Sequence, residues 1–249
     1  MKKVYCRPET FTDTPFTYCP ACGHSIVHRL MSEIIEELKI REKTIGVFCV
    51  GCAVTGTDYF KFDSILSDHG RAPAVATGIK RIQPDKIVFS YQGNGDLAAI
   101  GTTETIHTAN RGENITVIFI NNAVYGMTGG QSAPTTLPGQ KTTTAPKGNE
   151  GQPIPVCELL SVLKRPAYIA RVTVTSPKEV MRAKAAIKKA FLYQIEGKGY
   201  SLVEILSPCP TNWKMSPKDS QKFVEKEMER YFPLGTFRDV GEARRCKKS

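Results

Sequence analysis

The stretch KIVFSYQGNGDLAAIGTTETIHTAN (residues 86–110) decides the fold. KIVFSYQ (86–92) carries apolar and aromatic residues on both alternating faces, the mark of a strand buried on two sides. The turn that follows, GNGD, holds Gly93 and Gly95. DLAAIGTTETIHTAN (96–110) then reads as a helix, with Asp96 at its start where the macrodipole favours negative charge. Strand, glycine turn and helix make half of a βαβ unit. The same grammar recurs outward in both directions. TIGVFCV (44–50), ITVIFINN (115–122), YIARVTV (168–174) and SLVEIL (201–206) read as further strands. SIVHRLMSEIIEELKI (25–40) and SPKEVMRAKAAIKKAFLYQI (176–195) repeat apolar residues every three to four positions and read as helices. In the second, Ser176, Pro177 and Glu179 form a capping box with proline in the first turn. Buried strands alternating with helices predict an α/β fold, a doubly wound and mostly parallel sheet. Ligands of such sheets bind outside the carboxyl ends of the strands.

The chain has 249 residues, 41% hydrophobic and 23% charged, enough for one substantial core. Residues 18–213 are expected to form the α/β domain, preceded by an extension (1–17) and followed by a helical, basic tail (214–249) that contains SPKDSQKFVEKEMERY. The stretch 125–155, rich in Gly, Pro and Thr, is too long for a plain connector and reads as a functional loop. The net charge of +10 suits nucleic acid, an anionic small molecule or an acidic protein partner. The basic residues are dispersed, however, and clusters such as KAAIKKA (184–190) and ARRCKK (243–248) lack interleaved aromatic residues. They read as solvated faces, so no nucleic-acid partner is expected. No apolar run reaches the ~18–20 residues that span a bilayer. The amino terminus lacks the apolar segment of a secretory signal. A cytoplasmic protein without a membrane partner is the expectation.

Glycines at 93 and 95 let backbone N–H groups approach a phosphate, and the helix after them points its amino terminus at the same place. That signal is common on its own. The next strand, however, ends in NNAVYG (121–126), so two neighbouring parallel strands would present Asn94 and Asn122 side by side. Amide and carbonyl oxygens together with phosphate oxygens are a magnesium donor set. GNGDLAAIG…NNAVYGMTGGQSAPTT resembles the β subunit of 2-oxoacid:ferredoxin oxidoreductases, which has a thiamine diphosphate-binding fold, and the likeness runs from Tyr18 to about Trp213. The resemblance implies that Asn94, the Asn122 side chain and the Val124 carbonyl hold Mg²⁺ on the cofactor's diphosphate. It places Gly93, Gly95 and Thr128 around that diphosphate, with Asp96, Tyr125 and Met127 close by. HGRAPAVATGIK (69–80) resembles the family's turn into a helix beside the cofactor, which would bring His69 and Arg71 to the diphosphate or the substrate carboxylate. One departure stands out: the family has aspartate at the position of Asn94. Loss of that charge is expected to weaken metal binding, unless Asp96 compensates or the Asn94–Gly95 pair deamidates.

There are eight cysteines. Cys19 and Cys22, in YCPACGHS (18–25), have the spacing of one half of a metal clamp, and Cys49 with Cys52 repeats it. Four thiolates suit zinc or an iron–sulfur cluster equally. The resemblance selects Cys19, Cys22, Cys52 and Cys209 as ligands of one 4Fe–4S cluster. Cys49 and Cys157 read as core residues and Cys6 and Cys246 as terminal ones. His24 and His28 read as packing rather than ligating residues.

The activity implied is coenzyme A-dependent oxidative decarboxylation of a 2-oxoacid in anaerobic metabolism, with electrons passed to ferredoxin. No catalytic acid or base is expected in this chain, because the activating glutamate of the family belongs to the α subunit. Glu104 and Glu158 read as surface or helix residues. γ and ferredoxin-like δ subunits are the other partners implied. GMTGGQSAPTTLPGQKTTT (126–144) is most similar to enzymes of branched-chain substrates such as 2-oxoisovalerate, with 2-oxoglutarate or pyruvate as alternatives. A non-redox thiamine enzyme would leave the four cysteines idle. A zinc-stapled, basic nucleic-acid-binding module would leave the Asn94–Asn122 pattern unexplained.

Overall fold

The computed structural model describes residues 6–241, so Cys246 and the basic cluster 243–248 lie outside it. Seven strands form one sheet: β1 (Thr44–Phe48), β2 (Asp63–Leu66), β3 (Ile87–Gly93), β4 (Thr116–Asn121), β5 (Tyr168–Thr173), β6 (Ser201–Leu206) and β7 (Gly235–Asp239). Their order is β2-β1-β3-β4-β6-β5-β7. Every pairing is parallel except that of β7 with β5. The sheet is therefore doubly wound. From β1 the chain turns one way to β2 and the other way to β3, and the crevice at that reversal is where α/β folds bind ligands.

The five strands expected from largely apolar runs are all present, because burial of both faces leaves that pattern in the sequence. The two edge strands were not expected. Asp63–Leu66 is exposed along its whole length and Gly235–Asp239 is at most half-buried, so neither carries an apolar signature. The tail is accordingly part of the sheet as well as helical. The described part of the extension is also integrated: Phe11 is buried and bridges to Phe60.

Helices α1 (Gly23–Glu37), α2 (Ala72–Ile82), α3 (Thr102–Arg111), α4 (Val156–Ser161) and α5 (Pro177–Ile195) cover the sheet. α5 lies across β3 to β6 and carries α1, while α2 packs on β1, β3 and α3. The expected capping box of α5 is present, with Ser176 Oγ accepting from the Glu179 N–H at 3.4 Å. Lys184 and Lys188 of KAAIKKA pair with Glu33 and Glu37 of α1 at 2.7 Å, and Lys189 pairs with Asp239 at the end of β7. Much of that basic face thus fastens one element to another. The helix expected over 96–110 is broken instead. Residues 96–100 form a π-turn and α3 starts after Gly101. A Cβ on Gly101 would sit 2.4 Å from the Asp96 carbonyl and 2.7 Å from that of Gly70, so glycine alone lets the two turns meet. π-turns inside helices occur frequently at functional sites.

After β6 come α6 (Pro210–Trp213) and α7 (Pro217–Phe223). Trp213, Val224, Met228 and Phe232 join Ala123, Val124, Leu137 and Cys209 in a second apolar cluster. That cluster lies under the turn after β4. No helix among the described residues is long and apolar enough to cross a membrane.

Candidate cofactor and cluster site

Carboxyl ends of neighbouring strands converge on a cleft of about 330 Å³. β3 delivers Gly93, Asn94 and Asp96 to it, β4 delivers Asn122 and Val124, the turn after β2 delivers His69, and the turn after β1 delivers Cys52. Tyr125, Met127 and Thr128 close the side formed by the long loop. A Cβ on Gly93 would meet no atom within 4 Å, so the chain leaves open space there for a ligand to approach the backbone. A Cβ on Gly95 would instead meet the Tyr125 ring at 2.9 Å.

The Asn94 and Asn122 amides touch, as the adjacent strands predict. In the orientation that satisfies its neighbours, Asn94 donates to Asn122 Oδ1 at 3.0 Å, and its oxygen accepts from the Ala123 N–H at 3.1 Å and from Thr135 Oγ1 at 2.9 Å. Ala123 adopts a left-handed conformation with φ of 55°, unusual for a residue with a side chain. The fold over-determines it: its N–H also donates to Asn121 Oδ1 at 3.2 Å, and its carbonyl accepts from Thr136 Oγ1 at 2.7 Å. Trp213 Nε1 donates to the Asn122 carbonyl at 3.2 Å. The wall thus carries the amide and carbonyl oxygens that a magnesium diphosphate would need, beside an open glycine approach, but the Asn94 oxygen is engaged by the backbone and would have to rotate to join them.

Asp96 does something other than compensate for Asn94. Its buried carboxylate accepts from the Gly70 N–H at 2.6 Å, His69 Nδ1 at 2.9 Å and Gln92 Nε2 at 2.5 Å. Its charge is committed to the 69–70 turn, fixing His69 with Nε2 as the free ring nitrogen. Asp96→Asn would turn an amide NH₂ toward one of these donors. It is expected to cost about 1–3 kcal/mol of stability, the penalty of an unsatisfied buried group, measurable by urea unfolding. Arg71 is half-exposed and ion-pairs with Glu104 of α3. In the loop, the Tyr125 N–H donates to the Gln131 carbonyl at 3.0 Å and Thr128 Oγ1 donates to Gln131 Oε1 at 2.6 Å. The Thr128 hydroxyl is therefore engaged within the loop, and Met127 is half-exposed.

Cys19, Cys22, Cys52 and Cys209 come together, each pair close enough to interact electrostatically. Burial and the neighbouring sulfurs push the Cys22 thiol up to about 12 and that of Cys52 up to about 11. Among the described residues no three His, Cys, Asp or Glu side chains are close enough for a single metal ion. The four thiols are nonetheless mutual neighbours, and together they form a cage of sulfurs. Cys49 is outside it: fully buried, it donates to the Tyr91 carbonyl at 3.4 Å. The histidines pack as expected. His24 stacks on Tyr18 with rings 4.9 Å apart and bonds to Tyr91 through Nδ1 at 2.9 Å, and burial lowers its pKa to about 4. His28 Nε2 meets the Tyr18 hydroxyl at 2.7 Å.

Asn121, Thr135, Thr136, Asn212 and Trp213 support the site without having been singled out in the sequence. Two of them sit in a loop with six threonines between 128 and 144, and nothing local distinguishes Thr135 and Thr136 from the rest. Asn212 and Trp213 follow Cys209 closely, which was their one available signal.

Residues 49–205, a span holding both the Asn94 and the Asn122 turns, match the family model described as the C-terminal TPP-binding domain of thiamine pyrophosphate enzymes. The 2-oxoglutarate synthase subunit KorB of Methanocaldococcus jannaschii is 40% identical over 92% of this chain and 83% of its own length. The chain belongs to the β-subunit family of 2-oxoacid:ferredoxin oxidoreductases. Among relatives of this β subunit, the ketoisovalerate oxidoreductase subunit VorA of Methanothermobacter thermautotrophicus is 48% identical over 96% of the chain and 53% of its own length. The VorA of Methanothermobacter marburgensis is also 48% identical, over 96% of the chain and 51% of its own length. The β subunit thus spans about half the length of these two relatives. Its fold matches a 2-oxoglutarate:ferredoxin oxidoreductase from Magnetococcus marinus with a TM-score of 0.77, covering 99% of this chain and 92% of that one at 22% identity.

Proposed function

We propose that this chain is the cofactor-binding β subunit of a cytoplasmic, coenzyme A-dependent 2-oxoacid:ferredoxin oxidoreductase whose preferred substrate is 2-oxoisovalerate. The observation that carries this reading is the shared cleft: Cys52 of the four-thiol cage lines the same space as Asn94, Asn122 and Val124. A Cβ on Gly126 would lie 3.4 Å from the Asn122 amide and 3.5 Å from Cys52 Sγ, so cage and cofactor turn meet at that glycine. Asn122 Oδ1, the Val124 carbonyl and a rotated Asn94 amide would hold Mg²⁺, and Gly93, Gly95 and His69 Nε2 would receive the diphosphate. Bound thiamine diphosphate supplies the electron sink that lets a 2-oxoacid release CO₂. Cys19, Cys22, Cys52 and Cys209 would hold the 4Fe–4S cluster that takes up electrons for ferredoxin. A cluster is favoured over a zinc ion because Cys52 also lines the cleft that holds Asn94 and Asn122, where an electron acceptor is of use.

Asp96 is the one carboxylate lining the cleft among the described residues, and it is fully occupied. The activating glutamate must then come from an α subunit, with γ and ferredoxin-like δ subunits completing the complex. The net charge of +10 suits an acidic ferredoxin.

The outer wall of the cleft supports a branched-chain substrate. Val50 (44% exposed), Ile100 (51%) and Met127 (51%) line it, and no lysine or arginine among the described residues does. An aliphatic side chain laid on that wall gains about 25 cal/mol per Å² buried. A second carboxylate, as in 2-oxoglutarate, would be desolvated there without a countercharge. Pyruvate would leave the wall uncovered.

The test is dye reduction by the anaerobically co-purified complex, with coenzyme A and a panel of 2-oxoacids. 2-Oxoisovalerate is expected to give the highest kcat/KM. Ile100→Lys should move the ratio of 2-oxoisovalerate to 2-oxoglutarate by about tenfold or more toward the latter. Failure of every 2-oxoacid to reduce the dye, in protein that retains iron and thiamine diphosphate, would refute the activity.

A further inference from the structure

We propose that Asn212 is a positioning residue that couples the cysteine cage to the cofactor loop. The inference rests on the reading of the cage as an iron–sulfur site. Asn212 lies in α6, directly after Cys209. Its Nδ2 donates to Cys209 Sγ at 3.3 Å and to the Gly126 carbonyl at 2.8 Å. An amide nitrogen has two hydrogens, and here each has its own acceptor, one on the cage and one on the loop. That loop continues directly into Met127 and Thr128, which line the cleft.

The loop is shaped around this side chain. A Cβ on Gly130, whose φ is +81°, would come within 3.1 Å of Asn212 Cβ and 3.2 Å of its Oδ1. A Cβ on Gly126 would stand 3.7 Å from Nδ2. Gly130 thus leaves the space that Asn212 fills, and a side chain there would crowd the amide and force it to shift.

The two contacts have different chemical consequences. An N–H donated to a ligating sulfur stabilises the reduced, more negative state of a cluster and so raises its potential. The same amide, bonded to the Gly126 carbonyl, fixes the start of the loop that flanks the diphosphate end of the cleft. Displacing it therefore perturbs the electron acceptor and the cofactor pocket together. No other described side chain is bonded both to a cage sulfur and to the 126–130 loop.

The experiment uses the complete complex purified without oxygen, comparing the parent with Asn212→Asp and Asn212→Leu. Both replacements keep the approximate size and lose the donor. Asn212→Asp also adds a charge, so its effect should be the larger. The cluster midpoint potential, read by EPR-monitored titration, is expected to shift negative in both. The thiamine diphosphate Kd, read by calorimetry with Mg²⁺ present, is expected to rise about tenfold, at the low end of what loss of an outer-shell partner costs. Asn212→Gln, which retains the donor, should restore at least one of the two readouts. A potential equal to that of the parent in both variants would overturn the inference, whatever happens to thermal stability or to Kd. So would an unchanged Kd with a shifted potential, because the loop would then be independent of the cage. Iron and sulfide content of the parent complex reads the underlying assignment separately: their absence would remove the cluster reading and this coupling with it.

Discussion

Asn94→Asp is expected to bind magnesium and thiamine diphosphate about ten- to a hundredfold more tightly than the parent chain. The reason is a conflict that the amide cannot resolve. For Asn94 and Asn122 to share a cation, both must turn side-chain oxygens toward it. Asn94 can do so only by rotating its amide, which removes the oxygen from Ala123 N–H (3.1 Å) and Val124 N–H (3.3 Å) and sets NH₂ against those two donors. Leaving buried donors unpaired costs about 1–3 kcal/mol, and each 1.4 kcal/mol is roughly a factor of ten in affinity. A carboxylate has two equivalent oxygens, one for the N–H groups and one for the metal, and it adds a charge that Mg²⁺ favours. Calorimetric titration of the cofactor at fixed Mg²⁺ reads the difference directly, without turnover. Equal affinities would show that the parent amide rotates at no cost. Spontaneous deamidation of Asn94 is not a route to the same end. Asn94 is 4% exposed, and Gly95 is held in helical geometry with φ of −64° and ψ of −39°, away from the conformation in which its nitrogen attacks the amide. An intact-mass measurement should therefore find Asn94 unmodified.

What the sequence disclosed and withheld follows from how far apart the interacting residues lie. Ile87–Gly93 and Thr116–Asn121 are buried on both faces, so their burial is written locally as unbroken apolar runs. Gly93, Gly95, Asn94 and Asn122 were legible only in combination, because a glycine turn at one strand end is common and the asparagine turn at the next strand end gave it meaning. Cys19 and Cys22 showed their pairing by spacing and Cys49 with Cys52 repeated it, but choosing Cys52 over Cys49 and adding Cys209 came through the family resemblance, since nothing near Cys209 beyond its place after a strand says that it meets residues almost the whole chain away. Asp96 was seen as part of the motif, yet its direction was not, because the donors that hold it come from the turn after an edge strand with no apolar signature. YIARVTV and SLVEIL each contain one charged residue inside an apolar strand, Arg171 and Glu204. Read locally these are interruptions. Their pairing across adjacent strands, and the recruitment of Glu158 from α4, depend on a sheet order that no local pattern contains.

That network carries the second large expected effect: Arg171→Met should destabilise the fold by about 3–5 kcal/mol, the usual penalty for breaking a buried ion pair. Arg171 has no exposed side-chain surface and faces Glu204, which has none either. Nε donates to Glu204 Oε2 at 2.8 Å, Nη1 and Nη2 hold Glu158 at 2.8 and 2.6 Å, and Nη1 also reaches the Pro233 carbonyl at 3.1 Å. The guanidinium lies 4.8 Å from the Phe237 ring and 5.3 Å from that of Phe232, so it also fastens the chain leading into β7. Without the arginine, Glu204 keeps the Asn121 amide at 2.8 Å and the Cys157 thiol at 3.1 Å as donors, but its charge is uncompensated in the core. Adding Glu204→Gln to Arg171→Met removes that charge and keeps an acceptor for Asn121, so the double variant should recover more than half of the loss. Urea unfolding of both variants decides the matter. Equal destabilisation would assign the effect to packing rather than to charge. The pH dependence has a definite sign. Burial raises the Glu158 pKa, but its bonds to Arg171 outweigh burial and hold it below the ordinary value. The stabilisation from that pair is complete above the ordinary glutamate pKa and is lost as pH falls through the lowered one. Arg171→Met lacks this increment, so its stability should vary less across that acid range while remaining below the parent throughout. Because Asn121 holds Glu204 with one end of its amide and the Ala123 N–H with the other, loss of the arginine should also loosen the turn that carries Asn122. Hydrogen exchange at Ala123 and in residues 232–239 should then quicken before the rest of the sheet opens.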